Sequence, residues 1–314
     1  MSKLRIVFMG TPDFAVSILD KVLQHHYNIV GVITAPDKQA GRGRKIQESA
    51  VKKYATEKNL TILQPTNLKS PEFQKQLEAL NPNLQIVVAF RMLPKSVWNL
   101  PEHGTFNLHA SLLPDYRGAA PINWAIINGE TETGTTTFFL DDKIDTGEII
   151  LQNKTNIGEN ETVGELHDKL MHLGGDLVID TLRRIATDNI KTRKQAKDSN
   201  KLAYKIHTDT CKIDWHQTSK KIHNHIRGLN PYPAAWTTLT NNDETISAKI
   251  YDCEVVHESH QLKVGSIITD KKTIKIATLD GFIKINQIKL AGKKRMDTAS
   301  LLNGYKFEDQ AHVQ

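Results

Sequence analysis

The feature that most constrains this chain is an alternation of short apolar runs with amphipathic stretches through roughly its N-terminal third. Residues 4–9 form an apolar run that stops at Gly10, after which Thr11, Pro12 and Asp13 offer an N-cap, a first-turn proline and an acidic first turn. A helix is therefore expected over residues 12–24. The pattern then repeats, with strands expected at 28–34, 61–63 and 84–89 and helices at 49–59 and 70–80. A helix between successive strands makes those strands run parallel. The expected fold class is α/β, a doubly wound, Rossmann-like parallel sheet, whose ligands bind beyond the carboxyl ends of the strands. Gly10-Thr11-Pro12 is not a G-x-G-x-x-G fingerprint and there is no P-loop signature, so the sheet alone implies no nucleotide site.

Further along, a helix is expected over 119–128, strands at 134–140 and 148–152 around the loop DDKIDTG, and a helix over 162–187. Past these, a helix at 218–228 and short β-like runs at 248–256, 263–269, 273–278 and 282–290 predict a small OB-like β-barrel. The expected division is a catalytic domain over 1–189, a basic linker over 190–208 and the C-terminal OB-like domain over 209–314. A chain of 314 residues has room for two cores.

Two cysteines, Cys211 and Cys253, with no C-x-x-C pair suggest neither a disulfide framework nor a zinc site, and a reducing, cytoplasmic setting is expected. The N-terminal apolar run is shorter than a signal sequence requires and nothing later reaches spanning length, so neither export nor membrane insertion is expected. Charge carries more information. Over residues 183–205 eight basic side chains face only Asp188 and Asp198, an excess equal to the +6 of the whole chain. Such a cluster points to an anionic partner.

The stretch GTFNLHASLLPDYRGAAP, residues 104–121, carries the chemistry. Alternation along a strand puts Phe106 and Leu108 on one face and Asn107 and His109 on the other. Strands of a doubly wound sheet are normally apolar on both faces, so two polar residues near a carboxyl end indicate a site. Asn can donate to a carbonyl oxygen that is gaining charge. Neutral His can accept a proton from an attacking amine, with a carboxylate expected to fix its tautomer and favour its charged form. Of Asp141, Asp142 and Asp145, the last is preferred because Thr146 and Gly147 make a tight turn beside it. Without a Ser or Cys nucleophile, the set suggests direct acyl transfer to the substrate's own amine. The residues alone leave two other readings open: a strand His held structurally, and an Asp that only forms a turn.

The segments FNLHASLLPDYRGAAP and DDKIDTGEII together resemble the 10-formyltetrahydrofolate-dependent formyltransferase family. The resemblance extends through MGTPDFAV and APDKQAGRGRK to KIDW, HNHIRGLNPYPAAW and AGKKRMDTASLLNG, a set similar to the branch that acts on charged tRNA and absent from shorter relatives that formylate small molecules. It implies Asn107, His109 and Asp145 as a catalytic trio and the turn Ser111, Leu112, Leu113 and Pro114 as a folate-binding motif. Phe90, Arg91, Met92 and Leu93 fall where the family lines its pterin pocket, although AFRMLP departs from the usual AYGxILP. It also implies that Arg42, Arg44 and Lys45 reach the acceptor end of a tRNA; the basic connector, otherwise a solvated linker, is then expected to contact the RNA's phosphates through Lys194, Lys197 and Lys201.

The implied activity is formyl transfer from 10-formyltetrahydrofolate, as co-substrate and with no metal, to the α-amine of methionyl initiator tRNA. The protein is expected to act as a monomer away from membranes. The rival readings are a folate-dependent formyltransferase acting on a sugar-nucleotide or ribonucleotide amine, and an RNA-binding protein with a decayed enzyme domain.

Overall fold

The computed structural model describes residues 4–40, 45–196, 199 and 201–314. Two compact units form, one from Met1–Gly118, Thr133–Thr155 and Asp168–Leu202, the other from Ala119–Glu132, Asn156–His167 and Ala203–Gln314. In chain order the elements begin with β1 (Arg5–Gly10), α1 (Asp13–Gln24), β2 (Asn28–Ile33), the antiparallel pair β3 (Lys38–Ala40) and β4 (Lys45–Gln47), α2 (Ala50–Glu57), β5 (Ile62–Leu63) and α3 (Pro71–Ala79). They continue with β6 (Leu84–Val88), α4 (Lys95–Trp98), β7 (Thr105–His109), β8 (Arg117–Gly118), α5 (Pro121–Ile127), β9 (Glu132–Phe139), β10 (Ile149–Asn156), α6 (Val163–Ala186) and β11 (Leu202–Ala203).

The main sheet of the first unit has the order β10-β9-β7-β6-β1-β2-β5. From β5 to β7 its strands pair in parallel, as the alternating pattern requires. Beyond β7 the direction reverses, and β9 lies antiparallel to it. The chain passes from β1 outward to β2 and β5, then returns to the other side of β1 with β6 and β7. The switch point therefore falls between β1 and β6, and the register Gly10 to Val88 and Val88 to Leu108 brings three carboxyl ends level.

Phe8, Phe106, Phe138, Ile6 and Met9 are among the largest fully buried side chains. On α1 the spacing of Phe14, Ala15, Ile18, Leu19 and Val22 gives one apolar face for this core. Ser49 and Ser70 cap α2 and α3 by accepting from the N–H groups of Lys52 and Phe73, and Pro71 opens α3. The start of α1 differs from the sequence expectation. Pro12 occupies the cap with no side-chain bond, and the Thr11 carbonyl accepts instead from Val51 N at 3.3 Å.

The second unit continues with α7 (Ser219–Arg227), β12 (Ala235–Asn241), β13 (Glu244–Val256), β14 (Ile267–Thr269), β15 (Ile274–Ala277), β16 (Phe282–Leu290), β17 (Met296–Asp297), α8 (Thr298–Leu302) and β18 (His312–Val313). Its sheet runs β14-β15-β16-β13-β12-β18 with β17 on β16. The ends meet: Ser266 and His312 form an antiparallel bridge, Val313 N donates to Gly265 O at 2.9 Å and Ile267 N to Ala311 O at 3.2 Å. This closure makes the sheet a barrel. It depends on β12, absent from the sequence expectation, which joins β13 to β18. Threonines alternate there with Ala235 and Leu239, blurring the contrast between the two faces although Ala235, Thr237 and Leu239 are all buried.

Helix α7 gathers the earlier segments of this unit. Arg227 is buried, and its Nη1 donates to the carbonyls of Glu161 (2.8 Å) and Gly158 (3.2 Å) while Nε donates to Asn224 Oδ1 at 3.0 Å. At Gly228 an added Cβ would lie 2.7 Å from Ile127 Cγ1, so only glycine allows α5 this close, and Asn123 Nδ2 donates to its carbonyl at 2.8 Å. Among the described residues no helix is long and apolar enough to cross a membrane.

His223 on α7 is buried and its Nδ1 has no partner among the described residues. Burial, then the Arg227 and Lys220 charges, push the imidazole down from 6.5 to about 4, against smaller opposing effects of Asp252 and Glu159. An unfolded histidine takes up its proton near ~6.5. Between those two values the unfolded chain holds more protons, so stability falls as pH is lowered through that window, and above it this group contributes no pH dependence. Urea midpoints compared above and within the window should show this loss, and His223→Gln should reduce it; an unchanged pH dependence in the variant would assign it elsewhere.

Candidate active site

The parallel strands β6 and β7 end side by side; β7 carries Asn107 and His109, and the segments that follow the two strands carry residues 90–93 and 111–114. Asn107 pairs with Val87 on one side and Phe138 on the other, and His109 lies opposite Thr136. Phe106 and Leu108 are buried on the other face, where α6 crosses at Gly174 so closely that an added Cβ would lie 2.8 Å from Leu108 Cδ2. Asn107 is half-buried, and its amide oxygen is buried with no hydrogen-bond partner among the described residues. Burying an unpaired acceptor is costly, and only a hydrogen-bond donor brought by a ligand would recover that cost.

His109 is 7% exposed. Its Nε2 lies 2.8 Å from the main-chain carbonyl of Tyr116. A carbonyl can only accept, so Nε2 carries the hydrogen and the neutral ring keeps its lone pair on Nδ1. Nδ1 faces Asp145 Oδ2 at 3.9 Å, beyond hydrogen-bond range. The tautomer is thus set by Tyr116, not by the carboxylate as the sequence suggested. The Asp145 carboxylate instead faces the open ring nitrogen without bonding to it.

Asp145 is itself firmly held. Its Oδ2 accepts from Gly118 N at 2.9 Å, and its carbonyl accepts from Arg117 Nε at 3.1 Å and Gln195 Nε2 at 2.9 Å. Asp141 is the turn former of the loop, accepting from Lys143 N at 3.0 Å and the Thr146 hydroxyl at 2.7 Å, while Asp142 is exposed. Ala89, Tyr116 and Asp145 adopt φ values of 47°, 60° and 53°, left-handed conformations that non-glycine residues hold only under outside constraint. All three border the site.

The turn at 111–114, with a cis Leu113–Pro114 bond, is braced from below. Thr136 Oγ1 donates to Ser111 O at 2.6 Å and accepts from Leu113 N at 3.2 Å and Gln152 Nε2 at 2.9 Å. Gln152 Nε2 also donates to Leu113 O at 2.9 Å, and Ser111 Oγ donates to Asp115 O at 2.6 Å. Ser111 and Leu113 are buried, leaving Leu112 and Pro114 half-buried. After β6, Leu93 is buried, Phe90 half-buried and Arg91 exposed, while Met92 is 69% exposed. The Arg91 guanidinium donates to the carbonyls of Pro65 and Thr66 and lies 5.5 Å from the Phe90 ring.

Of the basic residues, Lys194 is exposed, and Lys201 lies 3.5 Å from Asp115 Oδ2. Arg42, Arg44 and Lys197 fall outside the described residues, and Lys45 is described only as the first residue of β4. Sequence reasoning missed Thr136, Gln152, Tyr116, Arg117 and Gln195. Arg117 and Tyr116 sit inside the motif already quoted; the other three act through contacts distant in sequence and leave no local signal.

The model for formyl transferase matches residues 4–182, and that for the formyl transferase C-terminal domain matches residues 205–306. The chain belongs to the formyl transferase family. It is 59% identical over 314 residues to the methionyl-tRNA formyltransferase of Flavobacterium johnsoniae, covering 100% of both chains. It is 54% identical over 312 residues to that of Bacteroides thetaiotaomicron, covering 98% of this chain and 97% of the other. Among solved structures it resembles an N-formyltransferase from Helicobacter canadensis in complex with folinic acid and dTDP-3-aminofucose, with TM-score 0.67, 22% identity and coverage of 93% and 100%. It also resembles HypX from Aquifex aeolicus in complex with tetrahydrofolic acid, with TM-score 0.64, 16% identity and coverage of 98% of this chain and 49% of that one. At such identities these structures speak to the fold.

Thr136 offers a direct test of the brace. Thr136→Val keeps the shape but strands Leu113 N and the Ser111 carbonyl. It should lower the free energy of unfolding in urea by about 1–3 kcal/mol, the range for leaving a buried polar group unpaired; no loss would show that the turn stands without it.

Proposed function

We propose that this chain transfers a formyl group from 10-formyltetrahydrofolate to the α-amine of methionyl initiator tRNA, and so serves the start of translation. The observation that carries this reading is the 59% identity to a methionyl-tRNA formyltransferase over the full length of both chains. The family uses folate-derived formyl donors, and two fold neighbours were solved with folates bound. Within the chain, residues 1–189 would carry the chemistry, with 190–208 and 209–314 serving to hold the tRNA.

The geometry supports a role for each residue. The amine attacks the formyl carbon and negative charge builds on the formyl oxygen. Asn107, half-buried on β7, donates from its Nδ2 to that oxygen. The amine's proton passes to His109 Nδ1, the ring nitrogen left open by the Tyr116 contact, and the new positive charge lies 3.9 Å from Asp145 Oδ2. The proton then goes to the departing folate nitrogen, and tetrahydrofolate leaves. Phe90, Arg91, Met92 and Leu93, with Leu112 and Pro114 of the braced turn, would line the donor's pocket at the switch point. Arg42, Arg44 and Lys45 would meet the acceptor end, and Lys194, Lys197 and Lys201 the stem phosphates.

Two measurements test this. Charged initiator methionyl-tRNA should be formylated in preference to elongator methionyl-tRNA. In that assay Asn107→Ala should lower kcat by roughly 10² to 10³ and His109→Ala by roughly 10² to 10⁴; a His109→Ala enzyme at near-normal turnover would sink the mechanism. Neutralising Lys194, Lys197 and Lys201 together should weaken every tRNA alike and flatten the salt dependence of binding, since each duplex phosphate contact contributes a slope of roughly 0.9. An unaltered slope would remove the connector from the interface.

A further inference from the structure

The segment after α6 runs along the edge of the first unit's sheet. Arg193 N and O pair with the O and N of Ile149 at 2.9 and 2.8 Å, and Arg193 Nη2 donates to Gln152 Oε1 at 2.6 Å. Two residues later this pairing delivers the half-buried amide of Gln195 into the DDKIDTG loop. Its Nε2 donates to the carbonyls of Asp145 (2.9 Å) and Gly147 (2.8 Å), and its Oε1 accepts from Arg117 Nε (3.1 Å) and Nη2 (2.7 Å). Arg117 closes the circuit by donating from Nε to the Asp145 carbonyl at 3.1 Å.

We propose that Gln195 is the positioning residue for Asp145, fixing from the connector both the backbone that carries the carboxylate and the segment that grips it. The inference rests on the reading of Asp145 as the electrostatic partner of His109. Asp145 sits at φ 53°, a conformation an aspartate keeps only while its surroundings hold it there. The two donors of Gln195 clamp the main chain on both sides of Thr146. Its acceptor orients Arg117, which precedes the Gly118 N–H that binds Asp145 Oδ2 at 2.9 Å. Glutamine suits the task because one amide offers two donors and an acceptor; glutamate keeps the acceptor for Arg117 but loses both donors, and alanine loses everything. With the clamp gone, the loop can relax about Asp145 and draw its carboxylate away from the imidazole. The side chain reaches neither pterin nor tRNA in this account, so donor affinity should be spared.

The test is a cycle in the full chain: Gln195→Ala and Gln195→Glu, each in the native and the Asp145→Ala backgrounds, with kcat, both KM values and the thermal midpoint measured. Gln195→Ala should lower kcat by roughly ten- to a hundredfold, the scale of an ångström-sized misplacement, with the donor's KM unchanged. Gln195→Glu should be similarly slow, and it carries the test if Gln195→Ala does not fold. In the Asp145→Ala background either change should cost little more, because the group being positioned is already gone. Equal losses in both backgrounds, or native kcat in Gln195→Glu, would overturn the inference while leaving the Asp145 reading intact. Native turnover in Asp145→Ala itself would overturn that reading and this inference with it.

Discussion

The imidazole of His109 is held on one side by the Tyr116 carbonyl at 2.8 Å and faced on the other by the Asp145 carboxylate at 3.9 Å. Much of the first unit is arranged to keep those two groups where they are. Tyr116 and Asp145 both occupy left-handed backbone conformations, and neither would stay there alone. Gly118 N grips the carboxylate directly, and Arg117 and Gln195 hold its main chain. Fixing one nitrogen through a main-chain carbonyl has a further consequence. The hydrogen on Nε2 cannot be lost by substituting Tyr116's side chain, so the polarity of the ring is built into the backbone.

The sheet provides the frame. Parallel pairing with level carboxyl ends puts the loop after β6 and the last residues of β7 on one rim, at the place where the strand order reverses. Antiparallel β9 then lays Thr136 opposite His109, and its hydroxyl serves three partners in and under the neighbouring turn. Reversal of direction at β7 therefore bears on the site: it brings β9, the strand that enters the DDKIDTG loop, beside the strand that carries Asn107 and His109.

The second unit uses a similar economy of buried polar groups. Arg227 is satisfied by the carbonyls of Gly158 and Glu161, which fastens a segment far earlier in the chain to α7. Because a buried guanidinium without partners is heavily penalised, that segment must stay in place once α7 packs. The barrel is likewise completed by residues far apart in sequence, through the contact of Ser266 with His312.

What the sequence determined was set by short-range periodicity and local chemistry. Alternating apolar runs fixed the parallel core from β1 to β7, Ser49 and Ser70 announced their helices, and the N-L-H triplet put Asn107 and His109 on one face. The local composition of DDKIDTG also favoured Asp145 over its neighbours, and its Oδ2 lies 3.9 Å from His109 Nδ1. Tertiary structure decided what depends on residues meeting from a distance. Tyr116, not Asp145, sets the tautomer because the turn after β7 brings its carbonyl back to within 2.8 Å of His109 Nε2. Gln195 reaches Asp145 across a separation of fifty positions, and no local pattern encodes such a meeting. Strand β12 was hidden because its buried face mixes threonine with apolar residues, and a barrel's need to close, not hydrophobic contrast, is what makes it a strand.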